Sequence, residues 1–402
     1  MLDARRFVSD EISLRQVARR LTLDLNGEIF VDVGPLFDDS WTGIPVVTAQ
    51  LARALLEALG DRLKFFVGLD QVNPDTVADA LERSTGTSLI YEFHNRRSGW
   101  EPVRRSAPDK LTIGVYASVK SSRRVFDYEC SIVHDLTTLI TPQFHTLENI
   151  AHHMEVIIGD INSNAVTACV SESTARDLAD YFGVAKDRLV VAYNGVSWRP
   201  QDLMTATNEV DIDAVEPFFL ILGTREPRKN IALIFELLSI FPELLGSHRW
   251  VITGKVGWLQ ENNVVPASLL GAIKSGRIFF TDFISDAEKC KLLMAADASI
   301  YPSFLEGFGL PVVESLSVAT PCIASCSSSI PEVGGELCTY FDPYSVLDLH
   351  RAVSEFLRDN PKRNPDFRKS CIDSVARFTW RQMAANILVA LESKIRGVQQ
   401  VR

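Results

Sequence analysis

The chain has 402 residues, of which 46% are hydrophobic and 23% charged, a composition typical of a globular protein. Its length favours two domains of ordinary size. The net charge of −10 argues against a general nucleic-acid-binding protein. No apolar run reaches the roughly 18 residues that a membrane-spanning helix needs. The seven cysteines lack the spacing of a zinc site or a disulfide framework, so we expect a cytoplasmic protein with reduced thiols.

The first half of the chain has the pattern of a doubly wound α/β domain. A buried strand is predicted at 28–33, a loop with turn residues follows, and the leucine spacing of 44–59 predicts a helix. The remaining predicted elements are strands at 63–67, 131–136, 164–170 and 189–193 and a helix at 72–82. Alternating strands and helices indicate a parallel sheet covered by helices.

A basic stretch follows the helix at 72–82 and reverses the acidic sign of the chain locally. Against Glu101 and Asp109 it contains Arg96, Arg97, Arg104, Arg105, Lys110, Lys120, Arg123 and Arg124. Two interpretations stay open. The stretch is a solvated loop face, or it is a surface for an anionic acceptor such as a lipid pyrophosphate at a membrane. In the second interpretation Arg104 and Arg105 are acceptor-side candidates.

The strand predicted at 131–136 ends in a polar pair, His134 and Asp135. In an open α/β sheet, ligands bind at the carboxyl ends of the strands, so both side chains are candidates for a binding site. A single histidine with a purely structural role is the alternative, and spacing alone favours it.

The second half restarts the alternation after a polar, acidic linker at 198–217. A strand at 218–222 leads into the loop 223–230, Gly-Thr-Arg-Glu-Pro-Arg-Lys-Asn, and then a helix. Arg228 and Lys229 at that helix start suit a phosphate, because arginine can donate two parallel hydrogen bonds and lysine is a compact charge. An ordinary helix start with solvated basic residues is the alternative.

The loop 301–315 carries the most specific pattern in the chain. Gly307 and Gly309 allow a ligand to approach the backbone, and Pro311 suits the start of a helix whose free N–H groups favour an anion. Glu306 and Glu314 would repel a phosphate, so they are expected to accept hydrogen bonds from hydroxyl groups. A ligand with both phosphate and hydroxyl groups is a nucleotide sugar. A glycine turn with two solvated glutamates is the alternative.

Residues 306–314 read E-G-F-G-L-P-x-x-E and resemble the donor-binding signature of the retaining GT-B glycosyltransferases of the GT4, or group 1, type. The resemblance extends to T-G-I-P at 42–45, V-H-D-L at 133–136 and G-T-x-E-P-R-K-N at 223–230. The chain departs from the family at Val46 and Val47, where many relatives have an arginine. It departs again at Ala319, where relatives have a glycine that ends a helix.

The resemblance implies an α/β fold of the GT-B type, with two Rossmann-like domains facing across a cleft. We expect an acceptor-side domain at 1–205, a donor domain at 206–385, and a terminal helix at 386–402 that packs back toward the N-terminal domain. The implied catalytic residues are His134, Glu306, Arg228 and Lys229. The implied donor-binding residues are Gly43, Thr224, Gly254, Phe283, Ile284, Gly307, Phe308, Gly309, Leu310 and Glu314.

By resemblance, Glu314 binds the ribose, Glu306 the donor sugar, and Phe283 and Ile284 the base. Metal is not expected, because protein charges and a helix N-terminus can stabilise the departing diphosphate. Asp211-Ile212-Asp213 has the form of a metal-binding D-x-D, which we interpret as a chance match in a linker.

The function implied is transfer of a sugar, with retention, from a nucleotide diphosphate sugar to a hydroxyl of a glycan or lipid-linked acceptor. Similarity to bacterial mannosyltransferases of surface polysaccharides suggests GDP-mannose as the donor. No further cofactor is expected, and the basic stretch suggests peripheral contact with an anionic membrane, at the inner face of the cell membrane. Two alternatives stay open. One is a nucleotide-sugar epimerase with the GT-B fold. The other is a non-catalytic donor-binding subunit of a glycan-assembly complex.

Overall fold

The computed structural model describes residues 14–39, 41–95, 101–105, 107–196, 198, 216–257, 265–282 and 284–401. They form two compact units. The first comprises the chain up to 136, 152–195 and 378 onward, and the second comprises 137–151 and 196–377. The units therefore change at 195 and 377, whereas the sequence suggested 205 and 385, and a short early segment joins the second unit.

The first unit is built on a sheet that has eight strands in the described residues. They are β1 (Gly27–Asp32), β2 (Leu63–Val67), β3 (Asp70–Val72), β4 (Glu101–Pro102), β5 (Leu111–Tyr116), β6 (Tyr128–Val133), β7 (Val166–Cys169) and β8 (Leu189–Val191). The order is β4-β3-β2-β1-β5-β6-β7-β8, parallel from β2 to β8, with β3 and β4 added antiparallel at the edge. Every residue of β1 is buried, as expected for a parallel strand covered on both faces.

The helices that begin in the first half are α1 (Leu14–Arg19), α2 (Ile44–Leu59), α3 (Pro74–Arg83), α4 (Thr87–His94), α5 (Thr137–Ile140), α6 (Leu147–Ser163) and α7 (Glu172–Phe182). The final helix, Trp380–Val401, also belongs to the first unit. An ion pair of 2.7 Å between Arg20 Nη2 and Glu392 Oε2 ties this helix to the turn after α1.

The second unit contains a parallel sheet of six described strands. They are β9 (Phe218–Leu222), β10 (Arg249–Thr253), β11 (Ile278–Thr281), β12 (Ala298–Tyr301), β13 (Cys322–Ser325) and β14 (Cys338–Phe341). The order is β11-β10-β9-β12-β13-β14. The helices are α8 (Ile231–Ile240), α9 (Leu244–Ser247), α10 (Leu270–Lys274), α11 (Asp286–Ala295), α12 (Leu310–Ser317), α13 (Ile330–Gly334), α14 (Val346–Asp359) and α15 (Pro365–Val375), so the final helix is α16. Within the described residues, no helix has the length and apolar content that a bilayer crossing requires.

The predicted fold class, α/β with two doubly wound units, is confirmed. The strand predicted at 218–222 matches β9 residue for residue. The helix predicted at 72–82 begins later, because Pro74 occupies its first turn and the Asn73 side chain caps it. The strand predicted at 131–136 ends at Val133, which places His134 in the loop just beyond β6.

Ala319 adopts a left-handed conformation, with φ of +57°, just past the end of α12. Its N–H bonds to the Leu316 carbonyl and that of Thr320 to the Ser315 carbonyl, both at 2.9 Å, the pattern of a Schellman motif. The expected glycine position is therefore confirmed, and alanine occupies it against its conformational preference.

Replacing Ala319 with glycine is expected to raise the free energy of unfolding by about 1 kcal/mol, because the strain of an L residue at positive φ disappears. The matched control is Ala185→Gly at an exposed position with φ of −62°, where glycine adds only unfolded-state entropy and lowers stability. Urea unfolding of both variants measures the difference. A lower midpoint for Ala319→Gly would contradict the assignment of strain.

Candidate functional site

The loops of the second unit that carry the predicted site residues follow the strands of its parallel sheet. Residues 223–230 follow β9, Gly254 follows β10, and 302–309 follow β12. The carboxyl ends of parallel strands lie at one edge of a sheet, so these loops share that edge. This is where open α/β sheets bind ligands.

The loops after β9 and β10 are in close backbone contact. Arg225 N donates to Lys255 O at 2.8 Å, and Gly257 N donates to Arg225 O at 3.1 Å. A Cβ on Gly254 would lie 2.1 Å from the Gly223 carbonyl oxygen, so the position requires glycine. Thr224, half-buried, lies at this contact. The requirement for Gly254 is thus explained by the packing of two loops.

Glu306, Arg228 and Lys229 form one charge cluster. Lys229 Nζ lies 2.7 Å from Glu306 Oε1, and Arg228 Nη1 lies 2.7 Å from Glu306 Oε2. The side chains are 9%, 12% and 15% exposed for Glu306, Arg228 and Lys229. Lys229 Nζ also donates to Tyr301 Oη at 3.1 Å. The carboxylate expected to bind hydroxyl groups therefore already holds the two cations expected to bind phosphate.

The pKa values of Glu306 and of the neighbouring Glu226 are shifted in opposite directions. Burial would raise the pKa of Glu306, but the charges of Arg228 and Lys229 outweigh it and hold that pKa well below its usual range. Glu226 accepts from Arg228 Nη2 at 2.7 Å, yet burial raises its pKa despite the two cations. Glu306 is therefore the carboxylate that stays ionised opposite the cations.

Serines after β13 hold the backbone of the Glu306 loop. Glu306 N donates to Ser328 Oγ at 2.9 Å, and Ser328 and Ser329 each donate an Oγ–H to the Glu306 carbonyl at 2.9 Å. Ser327 donates to the Phe304 carbonyl. These serines were not predicted as site residues, and the run Ser-Ser-Ser-Ile-Pro just after a strand is the signal that could have indicated them.

The helix expected after the glycine loop is present as α12. It begins at Leu310 with Gly309 as its cap, at φ of +101°, so Pro311 lies in its first turn as expected. Phe308 is 4% exposed, so its side chain is buried. Gly307 lies between Phe308 and Glu306 in the same loop. The free N–H groups of α12 therefore begin directly after the charge cluster's loop.

Glu314 lies one turn further along α12 and has a cation partner that the sequence did not reveal. Lys289 Nζ lies 2.6 Å from Glu314 Oε1 and 3.1 Å from Asp286 Oδ1. Burial would lower the pKa of Lys289, but the two carboxylates outweigh it and raise that pKa. The ammonium also lies 5.1 Å from the Trp198 ring centroid. Lys289 is thus the ion-pair partner of Glu314.

Three sequence predictions concern residues in or next to segments that the structure does not describe. Phe283 and the Asp211-Ile212-Asp213 segment lie outside the described residues. Ile284 is half-buried and immediately precedes Ser285, which caps α11 through a capping box with Glu288. Contact of Phe283 and Ile284 with a base stays a prediction.

In the first unit, His134 is held by the loop after β5. Its Nε2 lies 2.7 Å from the Ala117 carbonyl oxygen, so Nε2 carries the proton and donates. Burial lowers the pKa of His134, although Ala117 and Asp135 oppose that shift. A neutral ring with Nε2 protonated leaves Nδ1 as a hydrogen-bond acceptor. Both His134 and Asp135 are half-buried, and their roles stay predictions.

The free energy of unfolding should depend on pH partly through protonation of His134. Its folded pKa lies below the unfolded value of 6.5, so the unfolded chain takes up a proton that the folded chain refuses, and stability falls as the pH drops below about 6.5. His134→Gln is expected to reduce the stability slope between pH 7 and 5. His152→Gln, at an exposed histidine, is the control and should keep the parent slope. Equal slopes for parent and His134→Gln would contradict the assignment.

The N-terminal loop and the basic stretch agree only partly with the sequence analysis. Gly43 caps α2 with φ of +61°, and Val47, at a position where relatives have arginine nearby, is 2% exposed in the core. The prediction that Lys120 is part of an exposed basic surface is wrong. Its side chain is fully buried, and its Nζ lies 2.6 Å from Glu129 Oε2. Lys120 was assigned to the surface because a run of charged residues does not show which of their side chains are buried.

Two arginines of the basic stretch, like Lys120, pair with a carboxylate. Arg123 Nε lies 2.6 Å from Asp160 Oδ1, and Arg105 pairs with Asp127. Arg104 is exposed. Arg96 and Arg97 lie outside the described residues. The anionic acceptor surface therefore stays a prediction, with fewer uncompensated charges than the sequence suggested.

Comparison with known proteins identifies the part of the chain that carries this charge cluster. Residues 205–372 match the family model "Glycosyl transferases group 1". The chain therefore contains a group 1 glycosyltransferase domain at 205–372. O-antigen chain mannosyltransferase B of Escherichia coli is 24% identical to this glycosyltransferase over 374 residues, 87% of this chain and 95% of the relative. MMP alpha-(1->4)-mannosyltransferase of Mycolicibacterium hassiacum is 31% identical over 239 residues, 57% of this chain and 54% of that protein.

Solved structures agree on the fold of the glycosyltransferase. Sucrose-phosphate synthase from Thermosynechococcus elongatus superposes with a TM-score of 0.64 at 17% identity, covering 94% of this chain and 100% of that one. This likeness concerns the fold alone, and it confirms the predicted GT-B fold.

Proposed function

We propose that this glycosyltransferase moves mannose from GDP-mannose, with retention of anomeric configuration, to a hydroxyl of a glycan or lipid-linked acceptor. The observation that carries the proposal is the cluster of Glu306 with Arg228 and Lys229, directly before the N-terminus of α12. The choice of mannose rests on the two mannosyltransferase relatives. Peripheral contact with an anionic membrane is part of the proposal, with Arg104 as an exposed candidate.

In this proposal the charged groups divide the work of binding the donor and stabilising its leaving group. Arg228, Lys229 and the free N–H groups of α12 bind the diphosphate and stabilise the negative charge that grows as it leaves. Glu306 fixes the positions of both cations. It also accepts a hydrogen bond from a hydroxyl of the donor sugar, and Glu314 accepts one from the ribose beside Lys289. The role of His134 in sugar binding stays a prediction, with Nδ1 of its neutral ring as the acceptor.

The reaction needs no enzyme nucleophile in this scheme. The acceptor oxygen forms a bond to the anomeric carbon on the face from which the phosphate oxygen departs. That oxygen takes the electron pair of the broken bond and the proton of the acceptor hydroxyl. Attack on the departing face gives retention.

Activity is expected to survive excess chelator, because protein cations neutralise the leaving diphosphate without metal. The measurement is initial rate after dialysis against EDTA, compared with the same sample supplied with Mn²⁺ or Mg²⁺. Loss of activity that either metal restores would contradict the division of charge described above.

The donor and stereochemistry are tested together. The protein is incubated with an alkyl α-mannoside acceptor and, separately, GDP-mannose, UDP-glucose and UDP-N-acetylglucosamine, and the products are analysed by NMR. We expect transfer from GDP-mannose with an α linkage, which matches the donor configuration. Preference for a UDP sugar would overturn the donor assignment, and a β linkage would overturn retention.

A further inference from the structure

Three aromatic rings of the second unit stack in a row beside the loop of the charge cluster. Phe144 and Phe304 are parallel to within 7°, with centroids 4.8 Å apart. Phe304 and Tyr344 are tilted by 35°, with centroids 4.9 Å apart. We call Phe144, Phe304 and Tyr344 the aromatic row. Its last ring, Tyr344, is 72% exposed, which is unusual for a side chain with so much apolar surface.

Hydrogen bonds hold the backbone of the two loops that carry Phe304 and Tyr344. Tyr344 N donates to Asp342 Oδ1 at 2.9 Å, which closes an Asx turn. The buried Asn230 donates to the Pro343 carbonyl at 2.9 Å and to the Pro302 carbonyl at 3.1 Å. One amide therefore fixes both loops that carry the exposed end of the row. A ligand that stacks there meets a ring whose backbone is already ordered.

Two further hydrogen bonds connect the aromatic row to the charge cluster. Phe304 N donates to the Arg228 carbonyl at 3.0 Å, and Arg228 Nη1 donates to the Leu305 carbonyl at 2.8 Å. Asn230 directly follows Lys229 in the chain. Phe304 therefore belongs to the loop of the cluster, and Tyr344, in the loop after β14, lies at the same edge of the sheet.

We propose that Tyr344, backed by Phe304 and Phe144, is a subsite for a pyranose unit of the acceptor glycan. One face of a pyranose carries axial C–H groups and is apolar, so it stacks on an aromatic face while its hydroxyl groups stay in water. The cluster and α12 take the phosphates and donor sugar. Tyr344, exposed at the same sheet edge and in contact with Phe304 of the cluster's loop, contacts a sugar unit of an extended acceptor. The inference rests on the proposed function only in identifying the glycan as acceptor.

Direct binding without donor tests the subsite separately from catalysis. The probe is α-mannotriose, observed by saturation-transfer NMR with the full chain. We expect saturation of ring C–H protons, strongly reduced in Tyr344→Ala and retained in Tyr344→Phe, which keeps the aromatic face. Leu347→Ala is the matched control, because Leu347 is 67% exposed close to Tyr344 in the chain but is not part of the row.

Kinetics give the second measurement. Losing one stacked ring is expected to raise the acceptor KM about three- to tenfold, the equivalent of a single aromatic contact, while the donor KM stays unchanged. Equal mannotriose saturation in the parent and in Tyr344→Ala would overturn the subsite, as would no saturation in the parent. If GDP-mannose proves not to be the donor while Tyr344-dependent saturation persists, the proposed donor fails and the subsite stands.

Discussion

Lys229→Ala is expected to lower kcat by about 100-fold or more, because it removes a positive charge where negative charge grows in the transition state. Lys229 is positioned for this task by two contacts, 2.7 Å to Glu306 and 3.1 Å to the Tyr301 hydroxyl. Its ammonium is held beside a buried carboxylate, so little reorganisation is needed when the diphosphate departs. The affinity for free nucleoside diphosphate should fall as well.

The control for this variant is Lys274→Ala at the end of α10, where the lysine is exposed and remote in sequence from the cluster. It removes the same charge from the whole chain and should leave kcat and KM unchanged. Initial rates with saturating donor and acceptor measure both. Parent-like kcat in Lys229→Ala would remove Lys229 from the leaving-group site.

Glu306→Gln is expected to lower the free energy of unfolding by about 3 kcal/mol, because two largely buried cations lose their shared counter-charge. The folded pKa of Glu306 is depressed below the unfolded value of 4.5. The contribution of the carboxylate is therefore fully present above pH 4.5 and is lost as the pH falls through the folded pKa. Parent and variant should differ most near neutral pH and converge in acid.

Glu226→Gln is the matched control for stability. Glu226 also contacts Arg228, but burial raises its pKa, so its charged form contributes less than that of Glu306. Urea unfolding at pH 7 and near pH 3.5 measures both variants. A pH-independent difference between parent and Glu306→Gln would show that the loss comes from shape and packing instead of charge.

The sequence predicted the parts of the site that are local in the chain. The loops 223–230 and 302–309, the helix that begins beside Pro311, and the positive φ at Ala319 all follow from residues within a few positions of each other. Glycine, proline and strand periodicity determine local backbone geometry, so a short pattern contains that information.

The sequence did not predict which charged side chains pair. Lys229 and Glu306 are 77 positions apart, and Lys289 and Glu314 are 25 apart. These pairs form because strands that are distant in sequence become neighbours in the sheet. Glu129, the partner of the buried Lys120, is only nine positions away on β6, but the run of charged residues does not show that these two side chains meet in the interior. Pairing between loops is a tertiary property that no local pattern encodes.

Acceptor-dependent release of nucleoside diphosphate tests the central claim most directly. The parent protein is incubated with GDP-mannose, with and without an alkyl α-mannoside, and GDP and mannosylated product are quantified in each sample. We expect GDP to appear in proportion to mannose transferred and to be nearly absent without acceptor. A sugar converted without acceptor would indicate an epimerase, and bound GDP-mannose that is never consumed would indicate a binding subunit. Either result would contradict the account.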